Sequence, residues 1–198
     1  MHSESDRQEE APLFGPGEDY KFNARLNFLH DDRFLYANGY KRAAEVLLGR
    51  LHEDRARDID FLVYPLIFVM RHALELQLKA AYAWGHMLRD GHPISPPLGH
   101  PLSKLWAVVQ GFAEARWPDG DSEKLDVVTK VLDDLDCHDR RSQAFRYPVD
   151  TRGTRTKPEL GLVNVDQFMS IALTAYTLLD GISTAFENAC EERSDNQG

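Results

Sequence analysis

Apolar residues recur at three- and four-residue intervals along most of the chain, the signature of amphipathic helices. Over residues 32–51 they fall at Ala37, Tyr40, Ala44, Leu47, Leu48 and Leu51. A second helix is predicted over 61–84, nearly all apolar in its first half, which predicts burial on every side there. Pro65 fits only near its first turn. The stretch 86–99, HMLRDGHPISPPLG, carries three prolines and two glycines and is expected to stop the helix. A third helix begins near His100, with Pro101 at its first position, and carries Leu102, Leu105, Trp106, Val109 and Phe112. A short fourth covers 123–135, with Leu125, Val128, Leu132 and Leu135 on one side. The last covers 165–190, with Phe168, Ile171, Ala175, Leu178, Leu179, Ile182 and Phe186 along one stripe. Residues 139–163 lose the period and contain Pro148, Gly153, Pro158 and Gly161, predicting a long loop with room for a small hairpin. Loops of that length in a domain are commonly functional. Five helices and no convincing sheet predict an all-α, up-and-down bundle with this loop before its last helix.

The ends read differently. Residues 1–20 are polar and acidic with Pro12, Gly15, Pro16 and Gly17, predicting a flexible arm, and 192–198 a flexible tail, around one helical domain at 21–191. A chain of 198 residues suits a single domain. Cys137 and Cys190 are too few for a disulfide scaffold. No apolar signal region follows the first ten residues. The longest apolar run, 61–70, is about half of a membrane span. The expectation is an acidic cytoplasmic protein without a membrane partner.

The second helix carries an unusual stripe. At about 100° per residue, Arg71, Glu75, Lys79, His72, Tyr64, Tyr82 and Phe68 share an arc about 100° wide, with Gln77 alone on the far side. Arg71–Glu75 and Glu75–Lys79 are i,i+4 pairs of opposite sign. Three readings follow: a solvated face with weak surface ion pairs, an internal polar seam that docks the basic loop or a second subunit, or a ligand face. In the last, cations would meet phosphate while tyrosines stack on bases.

Charge is also unevenly placed. Between Arg140 and Lys157 six cations (Arg140, Arg141, Arg146, Arg152, Arg155, Lys157) face only Asp150, leaving +5; the rest of the chain, −9 overall, carries −14. Such separation points to an anionic partner, or to pairing of these arginines with Asp133, Asp134, Asp136 and Asp139 just before them. An overall pI of 5.3 argues against a long nucleic-acid groove but not against a local anion site.

Other chemistry has little support. His138-Asp139 suits a metal phosphohydrolase only with further ligands such as His100, Asp166 or Asp180. His86, His92 and His100 lack a metal-ligand spacing and read as solvated loop residues. No phosphate-binding glycine loop or nucleophile elbow occurs. Neither a metal nor a cofactor is expected.

Three strings in order, RHALELQLKAAY (71–82), GHPLSKLW (99–106) and SQAFRYP (142–148), resemble the HEPN superfamily of helical bundles. Its members often show a Glu-x-x-x-Lys helix, a Gly/Thr-His-x-Leu-x-x-Leu helix start and an Arg-Tyr-Pro string. The resemblance implies a bundle that commonly dimerises and works on RNA or nucleotides. Many relatives are metal-independent ribonucleases of toxin–antitoxin and phage-defence systems. Those carry an Arg-x4–6-His motif on a late helix, whose histidine and arginine act as acid–base and charge stabiliser. Here only Arg25-x4-His30 has that spacing, before the first helix, so the usual site is absent or rebuilt. A rebuilt site would use His72, His100 and Arg146 for catalysis, with Arg71, Glu75, Lys79, Arg141 and Tyr147 holding the ligand or its phosphate. The competing expectation is a non-catalytic module in which the same residues fix a homodimer or dock a partner protein.

Overall fold

The computed structural model describes residues 13–26, 33–97, 99, 101–156 and 160–195. The chain divides into two units, 1–32 and 33–198. In the first, a 3-10 turn, Tyr20–Phe22, is capped by Asp19, whose side chain accepts from the Lys21 amide. The Asn23 side chain bonds Gly17 in both directions, at 2.8 and 3.0 Å.

Among its described residues the second unit has five helices: α1 (Arg33–Glu53), α2 (Ile59–Asp90), α3 (Leu102–Arg116), α4 (Ser122–Asp139) and α5 (Val165–Asp195). No strand is present among the described residues; one isolated antiparallel bridge, Val149 to Arg155, closes a turn in the loop after α4. The all-α bundle expected from the periodicity is what forms. Its core takes Ala37, Ala44 and Leu51 from α1, Leu102, Leu105, Trp106, Val109 and Phe112 from α3, and Val128, Leu132 and Leu135 from α4.

Helix α2 is the axis, touching α1, α3 and α5. Direction alternates from α1 to α2 and again through α3, α4 and α5. The linker 91–101, however, carries the chain back so that α3 runs parallel to α2. Leu102 starts at the level of Arg71 through Asp136, and Phe112 lies against Gly85. Helix α5 also runs with α2: its Asp180 accepts from Gln77 and its Arg193 donates to the Leu88 carbonyl. The carboxyl ends of α2, α3 and α5 therefore lie at one end of the bundle.

Four details depart from the periodicity. Burial in α2 is concentrated at 66–86, while Phe61 in its first turn is 77% exposed. At about 1.5 Å per residue, a 32-residue helix outruns a 15-residue neighbour, so its ends stay uncovered. Pro65 sits in the second turn rather than the first. The helix continues through His86 to Asp90, where Gly91, at φ 80°, ends it in the left-handed cap glycine alone adopts cheaply. His86 is thereby buried on a helix rather than solvated in a loop. In α5 the buried line runs through Val165, Met169, Ala172, Ala175, Tyr176, Leu179 and Phe186, leaving Ile171 46% exposed. By length and composition α5 is also apolar enough to cross a membrane, and a third of its most apolar window is buried within the bundle.

Candidate functional site

The polar stripe on α2 is internal. Arg71 and Glu75 are each 0% exposed, which sets aside the solvated-face reading. Arg71 Nη1 donates to Glu75 Oε2 at 3.2 Å, and Lys79 Nζ donates to Glu75 Oε1 at 2.7 Å. From α4, Asp136 Oδ1 lies 3.6 Å from Arg71 Nη2, and Asp139 Oδ2 lies 4.0 Å from Arg71 Nε.

Both aspartates also hold backbone. Asp136 accepts the amides of Leu102 (3.0 Å) and Ser103 (2.9 Å) and the Ser103 hydroxyl (2.7 Å). Helix α3 has Pro101 at its cap position, which offers no side-chain acceptor, so a carboxylate from α4 does the capping. Asp139 accepts the amides of Gln143 (2.6 Å) and Ala144 (3.0 Å) and so shapes the first turn of the loop. One cation at the centre thus ties α2 to α4, to the start of α3 and to the start of the basic loop. Buried charges survive only with partners and hydrogen bonds of this kind.

This placement bears on two expectations. Arg71 and Glu75 are closed to solvent and hold helices together, as the internal-seam reading expects, and Lys79, partly exposed, pairs with the same carboxylate. The loop arginines do not pair with the acids before them: Asp136 and Asp139 turn inward, and Arg140, Arg141, Arg152 and Arg155 remain exposed without an ion pair among the described residues. The loop itself is anchored. Phe145 enters the core, and Asp150 accepts the amides of Arg152 and Thr154 to close the turn around Gly153.

Where the loop leaves Phe145, a second cluster forms at the surface. Arg146 Nε donates to the Ser142 carbonyl at 2.5 Å. Its guanidinium lies 5.1 Å from the Phe68 ring centre and 5.2 Å from that of Tyr147, within cation–π range. The half-buried His72 stacks on the same Phe68 at 5.9 Å and meets Tyr40 of α1 edge-on at 4.5 Å. Tyr64, one turn before Phe68, faces Phe145 at 6.5 Å. Tyr147 is 52% exposed and Tyr64 42%.

The structure therefore brings together His72, Arg146 and Tyr147, adds Phe68, Tyr64 and Tyr40, and leaves Arg141 exposed on the neighbouring loop. His100 lies outside the described residues, as does Lys157. Phe68 is the residue sequence reasoning undervalued; its i,i+4 relation to His72 was the available signal.

No group of three His, Cys, Asp or Glu residues is placed to hold a metal among the described residues. Asp139 accepts from backbone amides, Asp166 lies 2.6 Å from His52 and Asp180 accepts from Gln77. No protein-family model, no curated protein and no solved structure matches this chain. The reading of function rests on geometry.

Proposed function

We propose that the chain is a HEPN-like helical bundle of the cytoplasm that binds single-stranded RNA or a nucleotide on the face formed by Phe68, His72, Arg146 and Tyr147. The observation that carries this reading is the convergence of Arg146 and His72 on one aromatic ring, with Tyr147 exposed beside them. Stacked rings accept bases of any sequence, and a guanidinium already held flat meets phosphate at little ordering cost. Arg140, Arg141, Arg152 and Arg155 supply the surrounding positive field in an otherwise acidic protein. In a cleavage reaction Arg146 would stabilise the phosphate charge and His72 would exchange the 2′-hydroxyl proton.

Fluorescence polarisation with a labelled single-stranded RNA tests the binding, in EDTA, with gel analysis of the same mixtures for cleavage. Arg146→Ala and Tyr147→Ala should each weaken binding by about tenfold, as loss of one stacked base or one charged contact implies. Cleavage lost in His72→Ala would add a catalytic role. An unchanged affinity in both surface variants refutes the site.

The second reading is a homodimer or protein-docking surface, favoured by the same composition, since aromatic residues and arginine are enriched at interface cores. It predicts that Arg146→Ala changes sedimentation and leaves RNA binding untouched.

A further inference from the structure

At the opposite end of α2, away from Arg146, the carboxyl ends of α2, α3 and α5 enclose a cleft of about 580 Å³. Its floor is apolar, from Gly85, Leu88 and Phe112. A Cβ on Gly85 would lie 2.2 Å from the Phe112 ring, so only glycine lets that ring lie down as the floor. Around it stand Arg89, Arg116 and Arg193, one from the last turn of each helix.

Cations in last turns ordinarily complement the helix dipole. That role is partly met here by backbone: the Met87 carbonyl accepts from the Gly91 amide and the Ala113 carbonyl from the Trp117 amide. Arg193 donates one N–H to the Leu88 carbonyl at 3.0 Å. Arg89 lies 4.8 Å above the Phe112 ring and pairs with Asp90. Arg116 rests 5.4 Å from the Trp117 ring and has no carboxylate partner among the described residues. A guanidinium has five donors, and among the described residues most of those on Arg116 and Arg193 meet no acceptor, with Glu192 the one carboxylate in the lining. The volume falls within the range of small-molecule sites.

We propose that this cleft binds a small organic anion, its carboxylate or phosphate head held by Arg116 and Arg193 and its apolar body laid on Phe112 and Leu88. The site is separate from the Phe68–Arg146 face and does not depend on the reading given for that face.

Isothermal titration of the full chain with octanoate and with 1-naphthyl phosphate distinguishes the two head groups; octanol, octylammonium and inorganic phosphate are the comparisons. At least one organic anion should bind, with all three comparisons about tenfold weaker or more, and Arg116→Gln should weaken it by about tenfold at an unchanged melting temperature. Arg146→Ala should leave that binding unchanged. Absence of binding by both anions, equal binding of octanol or of inorganic phosphate, or sensitivity to Arg146→Ala without sensitivity to Arg116→Gln would each overturn the proposal.

Discussion

Replacing Arg71 with alanine tests the central claim that this residue holds the bundle together. The substitution leaves Glu75 fully buried with Lys79 as a cation, and leaves Asp136 and Asp139 with their amide donors but without the charge between them. Breaking a buried pair on one side costs about 3–5 kcal/mol. The remaining amide donors place the expected loss near the lower end of that range. A domain of this size has about 5–15 kcal/mol in total, so the variant should remain folded but markedly weakened. With about 2–4 °C per kcal/mol for chains of 150–250 residues, a loss of about 3 kcal/mol should lower the melting temperature by about 6–12 °C.

The assay is urea and thermal unfolding by circular dichroism, paired with RNA binding at a temperature where both proteins are folded. Arg71→Met adds a control, because an apolar side chain of similar length fills the volume without restoring the charge. A melting temperature within about 2 °C of wild type, together with lost RNA binding, would refute the reasoning and return Arg71 to a ligand face.

Other outcomes follow from buried or strained groups elsewhere. Tyr176 is almost fully buried and its hydroxyl has no hydrogen-bond partner among the described residues; burial also raises its ionisation above the ordinary phenol range. Tyr176→Phe should therefore stabilise the protein by about 1 kcal/mol in urea unfolding, and a loss of similar size would contradict that. Gly85→Ala should destabilise by about 1–3 kcal/mol, because the ring it meets belongs to a packed Phe112; a neutral result would mean that the ring moves freely. Arg89, and then His86, hold the Asp90 carboxyl well below the usual carboxylate range. A depressed folded value contributes stability above the ordinary value of about 4 that is lost as pH falls through the folded one. Hydrogen exchange at the end of α2 should therefore stay slow at pH 4 and quicken only in stronger acid. Asp90→Asn should abolish that dependence, and carboxyl NMR showing Asp90 titrating near 4 would contradict it.

Helix existence was legible because burial imposes its period on sequence. The boundary of α2 was less so: prolines at 93, 96 and 97 signalled the stop, but Gly91 decides where it happens. The α2 stripe was legible as geometry yet ambiguous in meaning, since an i,i+4 ion pair has one pattern whether wet or dry. What settled it stood 65 and 68 residues from Arg71 on α4, beyond any local period. A signal was nevertheless present: Asp136 and Asp139 continue the line of Leu132 and Leu135 at i+4, so carboxylates on a buried stripe announce a buried cation. Convergence of Arg146 and His72 on Phe68 depends on how Phe145 anchors the loop, a tertiary fact that only the Arg-Tyr-Pro string foreshadowed.

Asp139 gives the network a genetic meaning. It faces Arg71 in the interior with one oxygen, at 4.0 Å, and sets the loop that carries Arg146 with the other. A random-mutagenesis screen for lost function should therefore yield two classes of hit that look alike in a plate assay and occupy different depths of the molecule. Variants at Arg146 or Tyr147 should accumulate at normal levels and be inactive. Those at Arg71 or Asp139 should be scarce in the cell, and lower growth temperature or a second, stabilising substitution far from the loop should rescue them.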